Sequence, residues 1–498
     1  MKIDVHEDGG AQTTVRSQAG QPFLHLLFEA GVGRGRELCA GVGLCGKCRI
    51  RFRSEAPHPC VEDRTRLTLK QLEDGWRLGC KHEVTKSCAI EVPAVASTAW
   101  PAGTGKVLAV DIGTTRIKWA LGPSQGRARE MAMVNPQMGV GSEIMSRLRY
   151  ALSSEFARDH LRRSVSSVIV DLMRQSKASS LAVCGNSAMI AILLDVSLKG
   201  LAHAPYSTPW KGGMSVRLDP QLPLAYIPPL LGPFIGADIS AGLAYIEAQQ
   251  PEYPYLLADL GTNGEFVLAL DQDRYYACSV PMGPAIEGVG LCCGAMAGEF
   301  VLDRVSLGPA GLQWDKSPLA GISGTGYASV LALLRRLGLI DEDGHFQAAS
   351  MPLAHKISQR IRDHRLGRIF ELEPGAFVAE RDIEEFLKAK AGVNVALRAL
   401  IQGAGLAEGE VARVYLAGAL GEHVDSKDLI TLGFFPEIWR EKITVAGNTA
   451  LAGTMLALEQ DDVRAWLDLL PGRMIVDSLA ERTDFGPLFM RAMRFAWI

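Results

Sequence analysis

Residues 37–48 read Glu-Leu-Cys-Ala-Gly-Val-Gly-Leu-Cys-Gly-Lys-Cys, and this stretch decides what the first part of the chain is. Its cysteines, Cys39, Cys45 and Cys48, have the spacing C-x5-C-x2-C, and a fourth, Cys80, follows farther along the chain. Thiolates are the usual ligands of iron–sulfur clusters, and plant-type [2Fe–2S] proteins use the similar spacing C-x4-C-x2-C before a distant cysteine. The pattern therefore predicts a [2Fe–2S] cluster with these four cysteines as its iron ligands.

A zinc site is the main alternative, because cysteine also binds zinc. Zinc sites normally combine two C-x2-C pairs, whereas only Cys45 and Cys48 form such a pair here. Cys60 and Cys88 compete with Cys80 for the fourth position. Cys60 stands among proline and histidine in a predicted loop, and Cys88 enters a predicted strand. The spacing therefore favours iron, and Cys80 is the preferred fourth ligand.

Length and composition indicate an ordinary globular chain of two or three domains. The 498 residues are 48% hydrophobic and 21% charged, with a net charge of −3, so there is no basic surface that would indicate a nucleic-acid partner. Ten cysteines, four of them in one motif, favour a reducing compartment. The N terminus has no signal-peptide core, and prolines interrupt the longest uncharged stretch, 222–237. We therefore expect a cytoplasmic protein without a membrane span.

The first hundred residues have the element order of a β-grasp ferredoxin. Alternating apolar residues predict a hairpin, an apolar run stopped by glycines predicts a helix, and two further apolar runs predict strands, at residues 2–16, 22–30, 49–52 and 89–92. We predict a ferredoxin-like domain over residues 1–93. A linker over 94–105 follows, because this stretch is rich in Ala, Ser, Thr, Pro and Gly and has no periodicity.

A short motif occurs twice in the rest of the chain. An apolar strand runs into Asp-Ile-Gly-Thr-Thr at 111–115, and another runs into Asp-Leu-Gly-Thr-Asn at 259–263. One Asp-x-Gly-Thr turn is weak support, since such turns are common, but two copies indicate a duplicated domain with two phosphate loops. Glycine admits the phosphate, threonine hydroxyls donate to it, and aspartate holds magnesium or water.

The predicted nucleotide residues follow from these loops. Asp111 and Asp259 would position magnesium or the hydrolytic water. The phosphate contacts would come from Gly113, Thr114, Thr115, Gly261, Thr262 and Asn263. Gly418 ends a third apolar strand and Gly447 lies in a further glycine turn, and both would let the backbone approach adenosine. The turns at 321–326 and 445–449 could line the same cleft, but such turns are more often helix caps. For Glu287, a polar role in the cleft and a surface or structural role are equally open.

The second part of the chain resembles the ASKHA superfamily, which includes acetate and sugar kinases, Hsp70 and actin. The resemblance implies two RNase H-like subdomains, about 106–250 and 251–498, within a nucleotide-binding domain 106–498. The whole chain resembles the reductive activators of corrinoid proteins, which join a [2Fe–2S] ferredoxin domain to an ASKHA domain. The residues that carry this closer match are Asn135-Pro136-Gln137, Gly185-Asn186-Ser187-Ala188-Met189, Gly236-Ala237-Asp238, the loop 259–265, 283–288, 416–421, Gly433-Phe434-Phe435-Pro436 and Gly447-Asn448. The implied fold class is multidomain, with α/β and α+β parts.

The resemblance also implies a function. Such a protein uses Mg²⁺ and ATP to pass a low-potential electron from its cluster to an inactive Co(II) corrinoid protein of a methyltransferase system, which regenerates Co(I). It would need an upstream electron-donating reductase, and ASKHA proteins often form homodimers. Longer relatives carry an extended region between the ferredoxin and nucleotide domains, whereas this chain has only the short linker.

Three other functions remain open at this stage. The chain could activate a different low-potential enzyme, such as a dehydratase or reductase. It could be a small-molecule kinase with a redox-sensing ferredoxin domain, or a nucleotide-dependent binding module similar to Hsp70. The adjacent Cys292 and Cys293 could hold a second cluster, although small buried thiols are the commoner explanation for them and for Cys184 and Cys278.

Overall fold

The computed structural model describes residues 1–8, 10–32, 38, 41, 43, 46–93, 105–122, 130–141, 143–208, 210–309 and 311–498. By their contacts these residues form two units. Unit 1 contains Met1–Val183, Ala188–Trp210 and Ser215–Tyr226, and unit 2 contains Cys184–Ser187, Lys211–Met214 and Ile227–Ile498. Cys39, Cys45 and nearly all of the predicted linker lie outside the described residues.

The N-terminal segment of unit 1 is a five-stranded sheet with three short helices. Its elements are β1 (Lys2–Glu7), β2 (Gln12–Arg16), α1 (Phe23–Glu29), β3 (Arg49–Phe52), α2 (Val61–Arg66), α3 (Leu69–Glu73), β4 (Trp76–Leu78) and β5 (Cys88–Val92). The strand order is β2-β1-β5-β3-β4, with β1 parallel to β5 and antiparallel pairing at the other described ladders. This β-grasp sheet confirms the predicted hairpin, first helix and two strands. The short β4, α2 and α3 were not predicted.

The core of this segment lies between the sheet and α1. Ile3 and Val5 alternate with more exposed residues along β1 and are fully buried, as period-two patterning requires. Leu26 of α1 packs into the same cluster. The helix ends at Gly31, whose φ of 72° lies in the left-handed region that glycine adopts without strain. The amide of Val32 donates to the carbonyl of Leu27 at 2.9 Å and so closes the last turn.

Most residues of a second sheet also belong to unit 1. Its strands and the neighbouring helices are β6 (Val107–Ile112), β7 (Arg116–Gly122), β8 (Met131–Val134), α4 (Ile144–Ser153), α5 (Glu155–Ser176), β9 (Ser180–Gly185), α6 (Ser187–Leu193), α7 (Lys199–Ala202), β10 (Met214–Val216) and β11 (Ala225–Ile227). A 3₁₀ helix, Pro136–Val140, precedes α4. The strand order is β10-β11-β9-β6-β7-β8, with β6, β7 and β8 forming an antiparallel meander.

Unit 2 is built on a third sheet of six strands. Its elements up to the longest helix are α8 (Ala237–Glu247), β12 (Tyr255–Leu260), β13 (Asn263–Asp271), β14 (Arg274–Pro281), β15 (Val301–Leu302), β16 (Ser306–Gly308), β17 (Gly311–Gln313), β18 (Gly321–Ile322), α9 (Gly324–Arg336), α10 (Pro352–Ser358), β19 (Ile361–His364), β20 (Gly367–Glu373), β21 (Ala376–Ala379) and α11 (Glu380–Gly403). The remaining elements are β22 (Arg413–Ala417), α12 (Gly418–His423), α13 (Ser426–Thr431), β23 (Ile443–Gly447), α14 (Thr449–Glu459), α15 (Asp461–Arg473), β24 (Met474–Val476) and α16 (Phe485–Ala492).

The duplication predicted from the repeated motif is confirmed by the topology. The third sheet has the order β23-β22-β12-β13-β14-β24, and β12, β13 and β14 form an antiparallel meander. A later strand, β22, lies beside the first strand of this meander, as β9 lies beside β6 in the second sheet. Each Asp-x-Gly-Thr motif therefore lies at the first hairpin of a meander. The observed architecture confirms the predicted multidomain ferredoxin and ASKHA fold class.

Several local predictions in unit 2 are also settled. Ser323 caps α9 by accepting from the amide of Gly326, and Asn448 caps α14, so both glycine turns serve as helix caps. The C-terminal helix α16 packs on α11. Cys184 and Cys278 are fully buried, as expected of small structural thiols. Among the helices that the structure describes, none has the length and apolar character to cross a membrane.

Candidate functional site

Two of the four predicted cluster ligands are described, and they lie together. Cys48 Sγ and Cys80 Sγ are 3.3 Å apart, although 32 residues separate them in sequence. The amide of Gly79 donates to the carbonyl of Cys48 at 2.9 Å, which holds the two segments at this spacing. Cys48 is 3% exposed. A buried thiol beside a half-buried one is a donor set that fits an iron–sulfur cluster.

The competing cysteines have other surroundings. Cys60 is the N-cap of α2, where its Sγ accepts from the amide of Asp63 at 3.4 Å. Cys88 lies in β5, and burial raises the pKa of its thiol. Cys292 and Cys293 are held by hydrogen bonds from their amides to Asp382 and to Tyr327, at 2.9 and 3.0 Å.

A buried carboxylate, which the sequence reasoning missed, supports the cluster segment. Asp63 is fully buried and accepts from the amides of Leu78 at 2.7 Å and Cys60 at 3.0 Å. His82 Nε2 lies 2.6 Å from its Oδ2. Burial alone would raise the pKa of Asp63, but the contacts with His82, Leu78 and Cys60 outweigh it, and the pKa is lowered. Asp63 therefore ties α2 to β4 and to the residue two positions after Cys80.

The Cys60, Asp63 and His82 side chains also lie close enough to hold a metal ion, with their ligand atoms within 4.8 Å of one another. The hydrogen bonds account for this spacing without an ion. Both oxygens of Asp63 already accept, and the thiol of Cys60 accepts as a helix cap. These three residues are best explained as a capping network, in which buried polar groups satisfy one another.

The first predicted phosphate loop lies at the turn between β6 and β7. Asp111 is at the end of β6, and Thr114 and Thr115 are 6% and 4% exposed. A Cβ at Gly113 would lie 2.8 Å from the carbonyl oxygen of Arg116, so the turn requires glycine there. These residues fit a phosphate loop of the predicted kind.

Two buried side chains donate hydrogen bonds to the backbone of this loop. Asn135 Nδ2 donates to the carbonyl of Gly113 at 2.8 Å, and the amide of Asn135 donates to the carbonyl of Thr115 at 2.9 Å. Arg147 Nη2 donates to the carbonyl of Thr114. Asn135 belongs to a motif singled out in the sequence, but Arg147 was missed, because an arginine on an amphipathic helix is normally a surface residue.

Arg147 is fully buried on α4 and has several acceptors. Its Nε donates to the carbonyl of Gly141 at 3.0 Å, and its Nη1 lies 3.2 Å from Gln137 Oε1. The guanidinium thus joins the loop, the 3₁₀ helix and α4 into one hydrogen-bonded network. A planar group with five N–H donors is suited to bridging several carbonyls at once.

The second predicted loop lies in unit 2 and forms a cluster of polar groups. Thr262 Oγ1 donates to Glu287 Oε1 at 3.1 Å. A Cβ at Gly261 would lie 3.7 Å from the same oxygen and 4.0 Å from Asp259 Oδ1. A Cβ at Gly418 would lie 2.3 Å from Asp259 Oδ1. Two carboxylates and a hydroxyl at one strand end are a donor set that fits Mg²⁺, and Glu287 belongs to this set.

Gly418 and Gly447 lie at the ends of neighbouring strands. Ala417 and Gly447 are register partners in the parallel pair β22 and β23, and β22 in turn pairs with β12, so Asp259 lies at the same edge. Gly447 has a φ of 72°, and a Cβ placed on it would meet nothing within 4 Å. Open space beside a left-handed glycine at the carboxyl edge of a sheet fits the close approach of a ligand. Asn263 begins β13, opposite Pro281.

Comparisons with known proteins cover most of the chain. A family model described as the RACo middle region matches residues 107–250, and one described as the C-terminal domain of RACo, the ASKHA domain, matches residues 254–497. The corrinoid activation enzyme RamQ of Eubacterium limosum is 27% identical over 417 residues, which cover 78% of this chain and 70% of that protein.

A second relative is a [Co(II) methylated amine-specific corrinoid protein] reductase of Methanosarcina barkeri, 28% identical over 376 residues. The match covers 65% of this chain, and the chain spans 65% of that relative's length. A solved structure named as a reductive activator for corrinoid, iron–sulfur protein superposes with a TM-score of 0.67 and covers 99% of this chain and 98% of that chain. At 22% identity this match shows a common fold.

Proposed function

Because the chain belongs to the RACo family, we propose that it is an ATP-dependent reductive activator of a corrinoid protein. The observation that carries this proposal is the combination of both RACo regions, over 107–250 and 254–497, with a β-grasp segment that brings Cys48 to within 3.3 Å of Cys80. The names of the two curated relatives, an activation enzyme and a Co(II) corrinoid protein reductase, support the same activity.

The N-terminal segment would be the electron carrier. In this proposal Cys39, Cys45, Cys48 and Cys80 hold a [2Fe–2S] cluster, which when bound supplies one electron at a time. The buried Asp63 holds the backbone around Cys80 in place through His82 and Leu78. The domain division that we propose is 1–93 for this carrier, 94–105 for a linker and 106–498 for the nucleotide-binding part.

The nucleotide-binding part would bind Mg-ATP through its two loops. Asp111 and Asp259 would position magnesium or the hydrolytic water. The phosphates would be contacted by Gly113, Thr114, Thr115, Gly261, Thr262 and Asn263. Gly418 and Gly447 would admit adenosine to the edge formed by β22 and β23. The contact between Thr262 and Glu287 supports a magnesium-binding role for this edge of unit 2.

An ATP site beside a ferredoxin segment has a thermodynamic reason. A plant-type [2Fe–2S] centre has a potential of about −400 mV. Each step of about 59 mV of uphill one-electron transfer lowers the equilibrium constant tenfold. The role of ATP would be to change the bound corrinoid protein or the cluster so that Co(II) accepts the electron and becomes Co(I). An upstream reductase would refill the cluster, and the active species would be a monomer or a homodimer.

The test is an anaerobic mixture of the reduced protein with a Co(II) corrinoid protein, followed at the Co(I) absorption band. We expect Co(I) with Mg-ATP and none without it. Cys80→Ser should abolish the reaction, whereas Cys88→Ser, a cysteine outside the predicted ligand set, should retain it. Asp259→Ala should lose ATP hydrolysis and keep the cluster spectrum, and Asp273→Ala, at an exposed turn, is its control.

Two results would contradict the proposal. Absence of Co(I) under both conditions, with ATP still hydrolysed, would favour a different low-potential acceptor. A phosphorylated small-molecule product would favour a kinase with a redox-sensing ferredoxin segment.

A further inference from the structure

One helix of unit 1 contacts both the first phosphate loop and the cluster-bearing segment. On α4, Arg147 binds the carbonyl of Thr114, and Tyr150, three residues later, binds Glu29 at the end of α1. We infer that α4 and the 3₁₀ helix Pro136–Val140 couple nucleotide binding at this loop to the redox state of the cluster. Gly139 and Tyr150 are then positioning residues for electron transfer. The inference rests on the proposed function and names how its two sites communicate.

The cluster end of the connection is made by backbone hydrogen bonds. The amide of Leu24 donates to the carbonyl of Gly79 at 3.1 Å, and the amide of Phe23 donates to the carbonyl of His82 at 3.0 Å. These two carbonyls flank Cys80 on either side. The first turn of α1 is therefore attached directly to the backbone that presents a predicted cluster ligand.

The other end of α1 is attached to the middle region. Tyr150 Oη donates to Glu29 Oε1 at 2.8 Å, and Gln21 Nε2 donates to Glu29 Oε2 at 2.7 Å. Burial, together with the neighbouring Glu29, raises the pKa of Tyr150, so its hydroxyl keeps its proton and remains a donor. The ring of Phe28 packs edge-on against Tyr150 and against His160, with centroids 6.0 and 4.8 Å apart.

The two segments also pack closely together at Gly139. A Cβ on this residue would lie 2.7 Å from Cβ of Phe28 and 2.7 Å from its ring. Real Cβ atoms do not approach so closely, so the contact exists because residue 139 has no side chain. Gly139 belongs to the 3₁₀ helix that begins just after Asn135, and Asn135 holds the backbone of Gly113 and Thr115.

These contacts form a short and closely packed route. Arg147 and Tyr150 are three residues apart on α4 and therefore lie on neighbouring parts of one helix face, about 4.5 Å apart along the axis. α1 has only seven residues. Closely packed elements transmit small displacements because they cannot deform freely. A phosphate that moves the loop 113–115 would shift α4 and the 3₁₀ helix, and through Phe28 and Glu29 the backbone around Cys80.

Thermodynamic reciprocity makes this measurable without the corrinoid protein. If nucleotide binding changes the energy of the reduced cluster relative to the oxidised one, reduction must change nucleotide affinity by the same factor. We expect Mg²⁺ with a non-hydrolysable ATP analogue to bind with dissociation constants that differ about fivefold or more between the oxidised and reduced protein. A fivefold ratio corresponds to a shift of about 40 mV in the cluster midpoint potential on nucleotide binding.

The two variants that break the route are Tyr150→Phe, which removes only the hydroxyl that binds Glu29, and Gly139→Ala, which forces Phe28 away. Both should keep cluster absorbance and nucleotide binding, while the affinity ratio falls toward one and the potential shift disappears. Glu29→Gln keeps one oxygen that can accept from Tyr150, although Gln21 loses its acceptor, and it should keep the ratio. Tyr276→Phe is the matched control, because the Tyr276 hydroxyl makes no hydrogen bond within the residues that the structure describes.

The outcomes separate this inference from the function on which it rests. A wild-type protein that binds nucleotide and holds a cluster, but shows equal affinities in both redox states, would overturn the coupling and leave the proposed function standing. An unchanged ratio in both variants would show that the coupling does not pass through this contact. Absence of nucleotide binding or of a cluster in the wild type would overturn the proposed function and this inference with it.

Discussion

At Gly418 the backbone and a neighbouring carboxylate together exclude any side chain. Its φ is 79°, and a Cβ would lie 2.3 Å from Asp259 Oδ1. We predict that Gly418→Ala lowers the affinity for Mg-ATP about tenfold or more, because left-handed strain of about 1–2 kcal/mol adds to displacement of the carboxylate. Titration calorimetry with Mg²⁺ and an ATP analogue measures this effect. Gly403→Ala, where a Cβ meets nothing within 4 Å, is the control and should bind normally.

The side chain of Asp63 accepts hydrogen bonds from two backbone amides of the cluster segment, those of Cys60 and Leu78. Asp63→Ala would leave the buried amides of Leu78 and Cys60 without their acceptor and His82 without its partner. We predict a loss of about 3 kcal/mol in the stability of this segment. Thermal loss of cluster absorbance should occur at a clearly lower temperature than in the wild type. The exposed Glu73→Ala should leave this temperature unchanged, and equal temperatures for Asp63→Ala would refute the role.

Among the elements, α11 carries a charge into the core of unit 2. Lys390 is fully buried and donates to the carbonyls of Ala492, at 3.1 Å, and Ala496. Burial, with a smaller contribution from Arg494, lowers the pKa of Lys390 to about 7, and Glu342 opposes the shift. The C-terminal residues after α16 are thus anchored by an amine that loses its proton near neutrality.

This shift predicts a pH dependence of stability with a definite sign. Between about pH 7 and about pH 10 the unfolded chain keeps the proton on Lys390 while the folded chain does not, so this residue makes the free energy of unfolding rise with pH. Below pH 7 both states hold the proton, and the cost of burying the charge is present in full. We therefore expect wild type to gain stability relative to Lys390→Met between about pH 7 and about pH 9.5.

Urea unfolding of both proteins at the two pH values measures this difference. Lys388→Met is the matched control on the same helix, because Glu384 and Glu385 raise the pKa of Lys388, so that wild type should gain no stability relative to it over this range. A wild-type protein whose stability relative to Lys390→Met did not rise with pH would show that the buried amine stays protonated.

Across the full chain, the proposed activity needs a cluster and a nucleotide site that communicate with each other. Cys80→Ser and Asp111→Ala should each fail to produce Co(I) with ATP, the first because its cluster is incomplete and the second because it does not hydrolyse the nucleotide. We predict that an equimolar mixture of the two variants also fails, because the contacts of Tyr150 and Gly139 join the sites within unit 1 of the same chain. Recovery of Co(I) in the mixture would show that electrons pass between chains.

The features that could be predicted from the amino-acid sequence are local. The spacing of the cysteines, the period-two pattern of β1 and the strands that end in Asp-x-Gly-Thr depend on neighbouring residues, and a strand's alternation follows from backbone geometry alone. The element order and the duplicated sheet could be predicted for this reason. β4, with three residues, and the short α2 and α3 could not, because such short segments carry too little pattern.

The distant residues that support the candidate sites are visible only in the folded protein. Nothing near Arg147 in sequence indicates that its guanidinium is buried behind Thr114, and nothing near Gly139 indicates that Phe28 packs on it. Asp63 accepts a hydrogen bond from the amide of Leu78, and Thr262 donates one to Glu287. In both cases the sequence between the two residues gives no sign of the contact. Hydrogen bonding and packing act through space over a few ångströms, whereas sequence patterns report separation along the chain, so these contacts had to be read from the folded protein.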